Sequence, residues 1–134
     1  MLNVLSLILI TFEVSGQSNR MPNATFKIIS QLDQTSGDTI KFDGVFIISH
    51  NELFWGPDKQ NLAVLNVESS EGSWNKKRGR GIVSCDVNIA DLTGTVKFLG
   101  DKSHLIIEIV LEMEPSSLKT KLFAKNIAYR KLED

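Results

Sequence analysis

Apolar and polar positions alternate with period two over most of this chain, and the segment 81–113 shows it best. Val83, Cys85, Val87 and Ile89 alternate with Ser84, Asp86 and Asn88, as in a strand with one buried face. Asp91-Leu92-Thr93-Gly94 and the stretch from Gly100 to His104 then break the chain into three such runs, which predicts an antiparallel meander. In the last run Leu105, Ile107, Ile109, Leu111 and Met113 fall on one side, and Ile106, Glu108, Val110 and Glu112 on the other.

The same pattern recurs upstream. Phe26 to Leu32 reads as a strand, followed by turn residues from Gln34 to Asp38. Thr39 to Ser49 reads as another, with Gly44 inside it as the mark of a bulge or bend. Glu52 to Trp55 makes a short strand between the turns His50-Asn51 and Gly56-Pro57-Asp58-Lys59, and Leu62 to Glu68 a further one. Ser69 to Gly81 is the longest polar stretch and reads as a loop. Leu118 to Leu132 is read as a last strand, with a helix capped by Ser116 or Ser117 as the alternative.

Most connections are too short for the crossovers that parallel strands need. An all-β fold follows: an antiparallel meander of about eight or nine strands closing into a barrel or stacking as a two-sheet sandwich. Residues 17–134 are expected to form a single β domain. Residues 1–16 carry an apolar run from Leu2 to Phe12, suited either to a signal peptide cut before Gln17 or to a first strand. The run is too short for a transmembrane segment. The protein is secreted on the first reading and cytoplasmic on the second. The triplet Asn23-Ala24-Thr25 is a glycosylation sequon, which matters only in a secreted chain.

With 134 residues, 42% hydrophobic and 23% charged, the chain can bury a sizeable core. A net charge of −1 supplies no global attraction to nucleic acid or anionic membrane. Cys85 is the single cysteine, so neither an internal disulfide nor a multi-cysteine metal site can be built.

Few residues suggest chemistry. Lys76, Lys77, Arg78 and Arg80, with Trp74 just before them, suit binding of an anionic polymer or nucleic acid; a solvated hairpin is the plainer alternative. Phe54 and Trp55, where a strand meets a turn, are candidates to touch a ligand at a barrel mouth, or to plug the core end. Cys85 falls mid-strand on the apolar side, the setting of a structural thiol. Glu108 and Glu112 are about 13 Å apart along a strand, too far to act as a catalytic pair. No HExxH, GxSxG or phosphate-cradling glycine loop occurs. No catalytic residue, metal or cofactor is therefore expected.

Val45 to Ile48, Leu62 to Leu65 and Leu105 to Val110 are apolar on both faces. The second face needs a cover. The sequence thus points to a non-catalytic binding module, holding an apolar small molecule or a protein partner, with a homo-oligomer as a further possibility.

Overall fold

The computed structural model describes residues 17–18, 20–34, 36–101, 104–113 and 117–129, and these form nine strands with no helix. They are β1 (Gln17–Ser18), β2 (Ala24–Asp33), β3 (Thr39–Ser49), β4 (Glu52–Gly56), β5 (Ala63–Asn75), β6 (Arg80–Ile89), β7 (Leu92–Asp101), β8 (His104–Glu112) and β9 (Leu118–Tyr129). From β2 to β9 each strand pairs antiparallel with the next, and β9 returns to pair with β2. The result is a closed eight-stranded up-and-down barrel, with β1 added along the end of β5. Closure removes the sandwich alternative, and the strand Leu118–Tyr129 removes the helical one. The reading of residues 1–16 as a signal peptide or first strand lies outside the described residues.

Alternation explains which side chains enter the barrel. Phe26, Phe46, Phe98, Trp74, Leu53, Leu65, Ile107 and Leu122 are all buried inside, and every strand from β2 to β9 contributes to the core. Phe46 and Phe98 meet edge to face across it, with centroids 5.7 Å apart and an interplanar angle of 82°. Among the described residues these side chains form one continuous core cluster.

Register shifts set the phase of the wall: two lie between β2 and β9, at Thr25/Lys27 and Ile28/Ser30, and one each between β2 and β3 and between β5 and β6. In β3 an extra residue lies between Lys41 and Gly44, beside the glycine that marked a bend. In β5 the register shifts between Val67 and Ser69, so Glu68 is the inserted residue. That insertion changes which residues point inward: Leu65 and Val67 before it, Trp74 after it.

The expected loop over 69–81 is corrected here. β5 continues to Asn75, and the turn spans Lys76 to Gly79. The strand escaped notice because its inward positions beyond the bulge are Ser70 and Gly72, which carry no apolar signal. Gly72 is required there: a Cβ would lie 3.0 Å from Cα of Val83 and closer still to the Ile82 carbonyl oxygen. The connections β6–β7 and β7–β8 are also tighter than expected, with Leu92 and Asp101 already in strand.

Arg20 to Asn23 runs as a strap from β1 to β2. Met21 and Asn23 are buried, and Asn23 Oδ1 accepts the His50 amide at 2.8 Å. The sequon asparagine is thereby committed to holding the β3–β4 turn.

Candidate interaction surface

The barrel wall also has an apolar outside. Strand register places Ile47 of β3 opposite Phe54 of β4, and Phe54 opposite Val64 of β5, all pointing outward. Thr25 of β2 extends the row on the far side of Ile47. Four strands at about 4.8 Å spacing make this row roughly 14 Å wide. Val64 is 36% exposed, and Ile47 and Phe54 are half-buried. Beside them lies an open groove of about 390 Å³, lined by Thr25, Lys27, Asp43, Gly44, Val45 and Pro57. Lys27 and Asp43 put one charge of each sign at its rim.

A second outward row crosses β6 to β9. Ile82 faces Leu99, Leu99 faces Ile106, and Ile106 faces Phe123. Ile82 is 56% exposed. The next row along these strands is charged: Lys97, Glu108 and Lys121 stand side by side, with Lys121 Nζ 3.4 Å from Glu108 Oε2.

The two aromatics expected at a barrel mouth separate. Phe54 points out, into the first apolar row. Trp55 points in, opposite Phe46, and packs against the core. Its Nε1 is buried and makes no hydrogen bond.

Trp74 is 1% exposed. Its indole lies over Gly100, with Gly81 as its cross-strand partner, so neither ring face is open to a ligand. Lys76, Lys77 and Arg78 on the β5–β6 turn and Arg80 at the start of β6 are exposed. Arg80 spends its guanidinium on Asp101, with Nη2 at 3.0 Å and Nε at 3.1 Å from Oδ1. The turn amides of Arg78 and Gly79 donate to Asn75 Oδ1 and O respectively. They close the turn and do not face a ligand.

Cys85 sits inside, with Sγ 3.5 Å from Ser70 Oγ. Burial pushes its thiol above the ordinary value of 9.0, which the Ser70 hydrogen bond partly opposes and the Asp86 charge reinforces. His50 and Cys85 line the same small cavity, about 20 Å³, but no hydrogen bond joins them. A protonated thiol without a base is a poor nucleophile. Among the described residues no three His, Cys, Asp or Glu side chains come together as a metal site.

Comparison with protein-family models, curated proteins and solved structures finds no match. Function has to be argued from the geometry.

Sequence reasoning found the two-faced strands but not the rows they form. Ile82, Leu99 and Phe123 lie on three different strands, and only register brings them into line with Ile106.

Proposed function

We propose that this protein is a non-catalytic binding module whose partner is another protein, seated on the outward face of β2 to β5 around Phe54. The alignment of Ile47, Phe54 and Val64 on adjacent strands, beside a groove, carries the reading. An aromatic flanked by aliphatic side chains and ringed by polar groups is the usual make-up of an interface centre. Here the ring is Lys27, Asp43, Glu52 and Asn66. The groove suits a single apolar side chain offered by the partner's loop or strand, with Lys27 and Asp43 available to its polar neighbours.

Among the described residues the cavity under the strap is only about 20 Å³, which favours an outward site over that one. The burial of Trp74 weakens the anionic-polymer alternative, which is left with exposed cations and no stacking ring.

The test replaces Phe54 with a photo-crosslinking phenylalanine in the native cell and uses Asp86, exposed on β6, as control. The expected result is one discrete heterologous adduct from position 54 and none from 86. The adduct partner, purified, should bind the wild type and lose about thirtyfold in affinity to Val64→Asp. An adduct of twice the chain mass would instead make the face a self-association surface. Equal yields from 54 and 86 would remove the site.

A further inference from the structure

The outward apolar row of Ile82, Leu99, Ile106 and Phe123 runs beside charges that the fold uses only in part. One step along the strands, Lys97 and Glu108 stand directly opposite each other on β7 and β8. Lys121 bridges Glu108 from the β9 side, while Lys97 is exposed and makes no ion pair among the described residues. Thr95 and Val110 form the next outward pair. Asp101 and His104, both exposed, form the pair on the other side of Leu99 and Ile106.

This pattern is complementary to itself. A twofold axis parallel to the strands, above the line between β7 and β8, lays the hairpin on a second copy with rows matched and strands exchanged. Each residue of β7 then faces, in the other copy, the residue it pairs with in its own sheet. Leu99 meets Ile106 of the second copy and Ile106 meets Leu99, so the centre of the contact is apolar. Lys97 meets Glu108 twice over, and Asp101 meets His104 twice over. Within these rows no like charges meet. Ile82 and Phe123 fall opposite each other at the rim, where the convex barrel wall draws the copies apart.

We propose that the outer face of β7 and β8 is a self-association surface whose occupant is a second copy of this chain. In the closed ring β7 and β8 lie half-way round from β3 and β4. The dimer therefore leaves the Phe54 face of each copy uncovered and turned outward, and it stands or falls independently of what that face binds. Four rows on two strands cover a patch of roughly 10 by 20 Å, small against the ~800 Å² per partner of a standard interface. The dimer is accordingly weak, with a dissociation constant on the order of 100 μM.

Sedimentation equilibrium of the full chain from about 10 μM to about 1 mM tests this. The wild type should pass from monomer to dimer over that range, and Leu99→Asp should stay monomeric. Val64→Asp, on the opposite face, should match the wild type. Lys97→Glu and Glu108→Lys should each weaken the dimer about tenfold, since each change acts twice across the axis. Mixed in equal amounts, these two variants should form a heterodimer, because the acidic pair of one then faces the basic pair of the other. A wild type still monomeric at the highest concentration would overturn the proposal. So would a dimer dispersed by Val64→Asp and not by Leu99→Asp, or a mixture that associates no more than its components. Should Glu108→Lys not fold, the comparison of Leu99→Asp with Val64→Asp decides the point alone.

Discussion

Substituting Gly100 with alanine should be costly, and the cost should belong to Trp74. The indole of Trp74 packs against Gly100, and Gly81 is the cross-strand partner of both residues. A Cβ on Gly100 would stand 2.7 Å from Cζ3, closer still to Cη2, and 2.9 Å from the Gly79 carbonyl oxygen. Carbon atoms prefer about 3.5–4.0 Å, so the ring would have to retreat by about 1 Å. Trp74 is 1% exposed and has nowhere to go. Overpacking of this kind costs about 1–3 kcal/mol, and the ordinary gain from replacing a strand glycine returns about 0.5–1 kcal/mol. The net loss should be about 1–2 kcal/mol, seen in urea unfolding as a midpoint lowered by roughly 0.5–1 M. In a Trp74→Phe background the distal ring is gone and only the contact with the Gly79 carbonyl oxygen remains, so Gly100→Ala should cost clearly less, a coupling of about 1–2 kcal/mol. The reasoning fails if the alanine costs the same in both backgrounds, or nothing in either.

Three further outcomes are expected. Trp55→Phe removes a buried N–H that has no acceptor, so stability should stay within about 1 kcal/mol of wild type; a loss beyond about 2 kcal/mol in urea unfolding would mean the donor is satisfied. Ala90, the first residue of the β6–β7 turn, has φ 53°, and Ala90→Gly should raise the thermal midpoint by the equivalent of up to about 1 kcal/mol; a lower midpoint would contradict the strain. Because burial raises the Cys85 pKa, the folded state holds the thiol proton more tightly, so its contribution is complete below the ordinary value of 9.0 and is lost as pH climbs beyond it. Unfolding measured from pH 8 to 10.5 should therefore fall more steeply for the wild type than for Cys85→Ala, and parallel curves would refute this.

The strands were legible wherever inward positions are large and apolar, as at Val83 to Ile89 and Leu105 to Leu111. They were illegible in the second half of β5, where Ser70 and Gly72 face inward and Glu68 resets the phase. Trp74 consequently looked like a loop aromatic beside a basic run, when it is the plug of that barrel end. Barrel closure depends on β9 pairing with β2, a contact between the ends of the described chain that no local pattern encodes. The apolar outside was half legible. Alternation showed that Val45 to Ile48 and Leu62 to Leu65 have two greasy faces, but the pairing of Ile47 with Phe54 and of Phe54 with Val64 is a fact of register.

The proposed role requires that the β2–β5 exterior be covered in the cell. Hydrogen exchange by mass spectrometry, comparing the purified protein with the protein bound to its crosslinked partner, measures this strand by strand. Added protection confined to β3, β4 and the first half of β5, lost in Ile47→Asp, is the predicted result. Protection that falls on the Lys76–Arg80 turn, or on no part of the barrel wall, would contradict it.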